Sequence, residues 1–371
     1  MTIHSSLQKK LLQKHRQQVR VLFPKIYQIS LNFSSQDFLN LLNHQYIRNG
    51  AIDYIMRWGS GSSITRPLDD FLVKIRRTQE KLAELVGKES AILLESNTNH
   101  VARLIDSLIQ PKTVILKNKT FQFHPKYNVE MKIFDPKDAN QLESMLKTAN
   151  NYHIENILIL VDSHQTHDNN GISNLKKIAD LSKEYKAILI ADDTFTFQIL
   201  GKYGMGLSSH LHDVDIIVGG FGKPFGSYAY YIASSKKLMN YIIHFNHNID
   251  KLSTISPLLI GAIDKSLDII PSMQSEREEL LKFSKITATN LKNDNWHLDN
   301  HSSNIMSISF DKEGDVRQMQ TNLTQAQCIA NCHTNLKNVD FLITSSHSTS
   351  TVNELIKILR SYRCSSSCES L

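Results

Sequence analysis

Seven short apolar runs, separated by polar or helical segments, constrain the fold of this chain more than any other feature. The runs are nearly continuous in apolar residues, as in strands that are buried on both faces. Strands that alternate with helices in this way indicate an α/β fold with a large, mostly parallel sheet covered by helices. The runs are Ala91–Leu94, Thr113–Leu116, Met131–Phe134, Ile157–Val161, Ile188–Ala191, Asp215–Val218 and Tyr228–Ala233.

The pattern changes after residue 263. Long helical segments now accompany only two strand-like runs, Ile305–Phe310 and Phe341–Thr344, and a final helix is predicted near 352–361. This second pattern is typical of a smaller α+β unit. We therefore predict an N-terminal helix and arm at 1–45, a large domain at 46–260 and a small C-terminal domain at 261–371.

The excess positive charge lies at the N-terminus. The net charge is +6, and no acidic residue precedes Asp37. Such a segment suits a membrane surface, an acidic partner, nucleic acid or organellar targeting. We favour a solvated helix along a dimer edge, because no aromatic residue interleaves with the charges before Phe23. Neither nucleic-acid binding nor membrane contact is the favoured interpretation.

The cysteines and the hydropathy indicate the compartment. No run approaches the roughly eighteen apolar residues of a membrane span. All 4 cysteines lie after residue 327 and do not form a disulfide framework. Cys328 and Cys332 are four residues apart on a predicted helix, without the usual two-residue spacing of zinc ligands, so we predict no metal site. The reducing cytoplasm is the expected location.

Lys223 lies in the most informative segment, G-G-F-G-K-P-F-G at Gly219–Gly226. Glycines allow the backbone to come close to a ligand. A lysine held among them at the carboxyl end of a strand can form an imine with a carbonyl cofactor. The motif alone is also compatible with a tight turn that carries a solvated lysine.

Asp192 and Asp193 end another buried-type strand, I-L-I-A-D-D-T, before the lysine segment. Ligands of α/β sheets bind at the carboxyl ends of strands. Pyridoxal 5'-phosphate (PLP) needs an acid that keeps its pyridine nitrogen protonated, and Asp192 is the candidate. A helix cap or a turn acid is the alternative, especially for Asp193.

The spacing between this aspartate and the G-x-G-K motif resembles the fold-type I PLP-dependent transferases of the aspartate aminotransferase-like fold, and within them the α-oxoamine synthases. That family includes aminooxononanoate synthase, glycine C-acetyltransferase, aminolevulinate synthase and serine palmitoyltransferase. The similar segments occur in the family's order, from about residue 31 to 260 and weakly to 361. They are L-N-F-S-S-Q-D-F-L-N-L (31–41), G-S-G-S-S (59–63), L-G-K-Y-G-M-G (200–206), F-G-K-P-F-G (221–226) and L-S-T-I-S-P (252–257).

The resemblance implies roles for several residues. Lys223 would hold PLP as a Schiff base and act as the base at Cα, and Asp192 would pair with the pyridine nitrogen. Thr166 matches the family's serine beside the cofactor. The resemblance also implies a homodimer, because two residues would reach the cofactor phosphate of the neighbouring subunit. The remaining implied contacts are with the phosphate, from Ser96, Asn97 and Thr98 in the same subunit and from Ser253 and Thr254 in the neighbour.

The chain also departs from the family. Phe121 occupies the position of the histidine that stacks on the cofactor ring, and Phe195 replaces the histidine of D-[DE]-A-H. A phenyl ring can stack but cannot hydrogen-bond or move a proton. Three histidines nearby in the sequence could compensate, namely His124, His164 and His167.

The family's arginine for the substrate carboxylate is absent from the matching stretch, Asn338–Thr344. A bidentate arginine is difficult to replace, so the substrate lacks that carboxylate or another cation binds it. Arg66 and Ser34 are the candidates for substrate contact.

The resemblance implies an acyltransferase that condenses an amino acid or related amine with an acyl-CoA, with decarboxylation where the amine carries a carboxylate. The alternatives on the same fold are a PLP-dependent lyase, decarboxylase or aminotransferase. A third interpretation is a weakly catalytic partner subunit of a serine palmitoyltransferase-like complex, although the retained Lys223 argues against it.

Overall fold

The computed structural model describes residues 29–61, 70–95, 99–121, 123–151, 154, 156–166, 173–221, 229–245, 255–300, 303–334 and 337–368. The helices in these ranges are α1 (Gln45–Trp58), α2 (Asp70–Val86), α3 (Asn99–Leu108), α4 (Ala139–Asn151), α5 (Leu175–Glu184), α6 (Lys236–Phe245), α7 (Pro257–Ile269), α8 (Gln274–Asn293), α9 (Glu313–Gln325) and α10 (Thr349–Cys368). The strands are β1 (Leu31–Asn32), β2 (Ser90–Glu95), β3 (Thr113–Asn118), β4 (Glu130–Phe134), β5 (Asn156–Asp162), β6 (Ile188–Asp192), β7 (Ile216–Gly220), β8 (Ala229–Ser234), β9 (Leu298–Asn300), β10 (Ile305–Ser309), β11 (Cys328–Ile329), β12 (Asn331–His333) and β13 (Asn338–Leu342).

The predicted large sheet is confirmed. Its 7 strands follow the order β2-β8-β7-β6-β5-β3-β4. The pairs from β7 to β4 are parallel, whereas β8 runs antiparallel to both of its neighbours. This is the mostly parallel α/β sheet that the alternation of strands and helices predicts.

Both faces of the large sheet are buried. Along β5, Ile157 and Ile159 belong to one hydrophobic cluster, while Leu158 and Leu160 belong to a second cluster on the opposite face. Successive side chains of a strand point to opposite faces, so a strand between two cores has apolar residues at every position. The near-continuous apolar runs of the sequence have this origin.

Helices α1 and α7 cross at a very short distance, which two glycines allow. A Cβ added to Gly50 would overlap the side chain of Lys265 on α7, and one added to Gly261 would overlap the backbone oxygen of Gly50. Tyr54 of α1 packs beside Gly261 and donates a hydrogen bond of 2.8 Å from its hydroxyl to Asp264. The crossing therefore combines close backbone packing with a buried polar contact.

The C-terminal part contains a second, antiparallel sheet of order β12-β13-β10-β9. A third hydrophobic cluster covers it and also includes Leu31, Phe33 and Phe38. Strand β1 pairs in parallel with β11, with Leu31 opposite Cys328. The segment at 31–38 therefore packs with the C-terminal part of the chain, although it is far away in sequence.

The prediction of a helix that carries Cys328 and Cys332 is wrong. Cys328 lies in β11 beside β1, and Cys332 lies in β12 opposite Val339 of β13. Both are free thiols. Cys328 pairs with a strand that is remote in sequence, and Cys332 pairs with the next strand along the chain. A local spacing of four residues could reveal neither pairing.

The last predicted strand is displaced from its expected bounds of Phe341–Thr344. Strand β13 begins at Asn338, and its polar residue Asp340 accepts a hydrogen bond of 2.6 Å from the hydroxyl of Ser307 on β10. The prediction relied on a continuous apolar run. It therefore missed the first residues of β13, in which polar and apolar residues alternate.

None of the helices in the described ranges combines the length and the apolar composition that crossing a membrane requires.

His347 joins the N-terminal segment to the C-terminal part. Its Nδ1 accepts the backbone N–H of Thr344 at 3.0 Å, and its Nε2 lies 2.9 Å from the backbone oxygen of Asn32. The ring also stacks on Phe33, with the ring centroids 4.4 Å apart. Nδ1 is therefore the unprotonated nitrogen and Nε2 the donor, which is the neutral form of the ring.

We expect the free energy of unfolding to fall as the pH drops below about 6.5, the usual histidine pKa. Burial lowers the pKa of His347 in the folded chain, so below pH ~6.5 the unfolded chain binds a proton that the folded chain does not. Thermal unfolding from pH 5 to 8 measures the difference in stability between the wild type and His347→Asn. We expect the wild type to be the more stable protein at pH 8 and this difference to become smaller towards pH 5. The exposed His212→Asn is the control, and an equal pH dependence in both variants would contradict the assignment.

Candidate functional site

Asp162, Asp192 and Gly220 mark one edge of the large sheet. They are the last residues of the adjacent parallel strands β5, β6 and β7. Because carboxyl ends of parallel strands meet at one edge, this edge is the expected position of a ligand. The segment with Lys223 follows β7 directly, but Lys223 itself lies outside the described residues.

Asp192 is half-buried at the end of β6. Its Oδ1 accepts the backbone N–H of Thr194 at 2.8 Å, and no described side chain forms an ion pair with it. Burial raises the pKa of this carboxyl above its usual value, while the hydrogen bonds from Thr194 lower it. Among the residues that the structure describes, none therefore supplies a cation to this carboxylate at the place where a ligand is expected.

Asp193 faces the opposite side of the sheet and organises the turn after β6. Its carboxylate accepts hydrogen bonds from the N–H and the hydroxyl of Ser208, both at 2.9 Å, and from the hydroxyl of Thr196 at 3.0 Å. Gly206 has a φ of +95°, and a Cβ there would overlap this carboxylate. Asp193 is fully buried, so its role is to hold the turn rather than to contact a ligand.

Asp162 is a carboxyl of this edge that the sequence interpretation missed. It is paired in register with Asp192 on the neighbouring strand. Burial and the charge of Asp192 raise its pKa to about 7. The signal was present in the sequence, because Asp162 ends the apolar run of β5 just as Asp192 ends that of β6.

The two phenylalanines that the resemblance places at the family's histidine positions differ in exposure. Phe121 is 4% exposed and belongs to the hydrophobic cluster on the Asp192 face, so little of its ring is open to a ligand. Phe195 is 36% exposed. The stacking role of Phe121 remains a prediction, whereas Phe195 presents an apolar surface just beyond Asp192.

Of the three candidate histidines, His164 has a ring contact with Phe195. Its ring centroid is 6.1 Å from that of Phe195, and its Nε2 lies 2.7 Å from the hydroxyl of Ser303. His124 is exposed, and His167 lies outside the described residues. The buried imidazole of His164 thus connects the site edge to the C-terminal part of the chain.

Thr166 and Ser34 already have partners within the chain. The buried Thr166 hydroxyl donates to the backbone oxygen of Ser163 at 2.6 Å and lies 2.7 Å from the hydroxyl of Ser173. The N–H and hydroxyl of Ser34 both contact Oδ1 of Asn32, at 3.0 and 3.1 Å. The other predicted contacts lie outside the described residues, namely Arg66, Ser96, Asn97, Thr98, Ser253 and Thr254.

The edge fits the pyridine nitrogen of PLP. Asp192 is a half-buried carboxylate without a cationic partner among the described residues, and its pKa is raised by burial. A protonated ring nitrogen would supply the missing positive charge. The end of β7, which leads into the lysine segment, lies beside it, with Asp192 opposite Val218.

Comparison with known proteins agrees with this geometry. Residues 75–359, more than half of the chain, match the family model described as aminotransferase class I and II. An 8-amino-7-oxononanoate synthase of Gluconacetobacter diazotrophicus is 26% identical over 67% of this chain and 65% of its own length. A relative from Desulfosudis oleivorans, which bears the same name in provisional form, is 28% identical over 68% of this chain.

The chain spans slightly less than two thirds of these two relatives, at 65% and 66% of their lengths. Among solved structures, the serine palmitoyltransferase of Sphingomonas wittichii superposes with a TM-score of 0.80 at 15% identity, over 98% of both chains. This likeness confirms the fold-type I architecture. With the match over residues 75–359, the chain belongs to the aminotransferase class I and II family, whose cofactor is pyridoxal 5'-phosphate.

Proposed function

We propose that this protein is a PLP-dependent acyltransferase of the α-oxoamine synthase type, which joins an amino acid or related amine to an acyl-CoA. The observation that carries the proposal is the carboxylate of Asp192 at the end of β6, beside the strand that leads into Lys223. The names of the sequence relatives support the reaction class. The bound cofactor supplies an electron sink for the carbanion.

In this proposal the residues of the edge have different tasks. Lys223 would attach the cofactor and would also serve as the general base that removes the proton from Cα of the substrate. Asp192 holds a proton on the pyridine nitrogen through its charge. Ser96, Asn97 and Thr98 precede α3, whose N-terminus suits a phosphate group.

The substrate of this site differs from that of a standard family member. Phe195 offers an apolar surface where the family has an imidazole, and it is 36% exposed. We propose that the amine is recognised through apolar contacts, with Arg66 or Ser34 as its polar contact. Thr166 would lie beside the cofactor ring, held by Ser163 and Ser173.

We propose that the active form is a cytoplasmic homodimer, in which Ser253 and Thr254 of one copy reach the phosphate of the other. Exposed apolar side chains on and beside α1 support an interface, with Met56 81% and Ile52 55% exposed. The free thiols of Cys328 and Cys332 suit a reducing compartment. The division at residues 45 and 260 also stands as a proposal.

Release of CoA tests the reaction. Protein loaded with PLP should liberate free thiol from an acyl-CoA only when a suitable amine is present, measured across a panel of amines and chain lengths. Asp192→Asn should lower the rate by roughly 10- to 1000-fold, because a carboxylate partner shifts a neighbouring pKa by about 1–3 units. The exposed Asp180→Asn is the matched control.

Loss of the amine without thiol release would contradict acyl transfer. It would favour a lyase, decarboxylase or aminotransferase, for which the replacement of imidazole by Phe195 is the supporting observation. No change in either substrate, with PLP bound, would point to a partner subunit.

A further inference from the structure

Asp162 and Asp192 face each other across two neighbouring strands. They are register partners at the ends of β5 and β6. Leu160 and Ile190, two residues earlier on each strand, belong to the same hydrophobic cluster. Residues two apart on a strand point to one face, so both carboxyls lie on one face at one edge.

Asp162 is held in place by neutral donors. Its Oδ2 accepts the hydroxyl of Thr120 and its Oδ1 the backbone N–H of His164, both at 3.3 Å. The side-chain oxygen of Asn118 receives the backbone N–H of Asp162 at 2.9 Å. His164 is itself anchored, through its contact with Ser303. The carboxyl is thus fixed in position without a neutralising charge from these groups.

The charges around Asp162 come from the adjoining strands. Beyond Asp192, the turn after β6 carries Asp193, which also raises the pKa of Asp162. On β3, the amine of Lys117 donates to the backbone oxygen of Phe121 at 2.8 Å. On β8, Tyr230 has its pKa raised by burial and by Asp192, so its phenol stays protonated. No described residue forms an ion pair with Asp162.

Two carboxyls on one partly buried edge cannot both ionise at low cost. The pKa of Asp162 is about 7, raised first by burial and second by the charge of Asp192. The cofactor-free site therefore retains a proton near neutral pH. A positive charge that binds beside Asp192 lowers the pKa of Asp162, so that the proton is released.

We propose that Asp162 is a positioning residue for the cofactor, which holds one proton with Asp192 in the cofactor-free protein and releases it when the pyridinium binds. The O–H bond of the carboxyl breaks, and the proton passes to the ring nitrogen, or to water if that nitrogen arrives protonated. Two carboxylates then face one pyridinium. This deepens the proposed function, but it rests only on cofactor binding and not on acyl transfer.

Proton counting tests this assignment without any turnover. PLP is titrated into cofactor-free wild type and Asp162→Asn by calorimetry at pH 7, in buffers of different ionisation enthalpy, so that the heat gives the protons exchanged. The wild type should release more protons per PLP, or take up fewer, than the variant, by a difference of about half a proton at pH 7, where a group with this pKa is half-protonated. That difference should disappear well above pH 8.

The exposed Asp180→Asn should exchange the same number of protons per PLP as the wild type. Asp162→Glu should also exchange the wild-type number, because it keeps a carboxyl at this position. Equal proton counts in the wild type and Asp162→Asn would overturn the proposal. If the protein binds PLP but releases no thiol from an acyl-CoA, the proposed acyl transfer is contradicted, but the proposal for Asp162 is not.

If Asp162→Asn no longer binds PLP, the stability of the cofactor-free protein provides a second test of the proposal. A raised carboxyl pKa means that the folded chain binds more protons than the unfolded chain between pH ~4 and the folded value, so the stability that this proton gives is lost as the pH rises. Cofactor-free wild type should therefore lose stability relative to Asp162→Asn from pH 5 to 8 in thermal unfolding. A pH-independent difference between the two proteins would overturn the proposal.

Discussion

Replacing Lys223 with alanine should abolish covalent capture of PLP and lower turnover by about 10³- to 10⁴-fold or more. The amine of Lys223 has two tasks in the proposed reaction, as the attachment point of the cofactor and as the base at Cα. Asp192 and the phosphate contacts would remain, so the variant should still bind PLP noncovalently. Absorbance spectra before and after borohydride treatment, together with turnover, measure both effects.

Lys237→Ala is the matched control, because Lys237 is an exposed lysine on α6. It should keep the absorbance band of the lysine-bound cofactor and the wild-type turnover. An imine band that survives in Lys223→Ala and is lost on borohydride treatment would show that another amine holds the cofactor. No band in the wild type, even after incubation with PLP, would contradict both the cofactor assignment and the proposed reaction.

Replacing Asp193 with alanine should lower the free energy of unfolding by about 3 kcal/mol, since each unsatisfied buried polar group costs roughly 1–3 kcal/mol. The N–H and hydroxyl of Ser208 and the hydroxyl of Thr196 would lose their acceptor. The side chain is fully buried, so water cannot easily replace it. Urea unfolding of the cofactor-free protein at pH 8 measures the change.

Asp213→Ala is the control for this substitution. Asp213 pairs with Lys183 at 2.8 Å, but its side chain is 33% exposed, and such surface pairs contribute at most about 1 kcal/mol. A similar loss of stability in the two variants would mean that the hydrogen bonds of Asp193 contribute little. A large loss in Asp193→Ala alone would establish the turn after β6 as a stability element beside the site.

Much of the large sheet was predictable, because burial on both faces leaves a mark in every strand. Strand β6 was expected at Ile188–Ala191 and ends one residue later, at Asp192. Strand β3 was expected at Thr113–Leu116, begins at Thr113 and ends at Asn118. Such patterns depend only on neighbours along the chain, so they can be recognised without the fold.

The less regular elements were not predictable in the same way. Helix α1 crosses α7 through Gly50 and Gly261, and a glycine within a helix weakens the local signal. Strand β11, which carries Cys328, pairs with β1, which is remote in sequence, and β12, which carries Cys332, pairs with β13, the next strand along the chain. Their conformation is determined by these partners and not by the residues next to them.

Some residues of the candidate site could likewise be predicted from the sequence, whereas others could be recognised only from the fold. Lys223 and Asp192 are predicted from the sequence, because each follows an apolar run in a recognisable motif. Asp162 also ends an apolar run, but only the fold shows that it lies beside Asp192, because β5 pairs directly with β6. The contact of His164 with Ser303 likewise joins parts of the chain 139 residues apart.

The amino-acid sequence by itself therefore determined the class of fold and the approximate positions of the strands of the large sheet, and it predicted the two residues expected to hold the cofactor. Those properties come from local hydrophobic periodicity and from short motifs. Only the tertiary structure decided the order of the strands and the pairing of Asp162 with Asp192. The physical reason is that strand pairing and burial depend on groups that are distant along the chain, and two carboxyls influence each other's pKa only when the fold places them side by side.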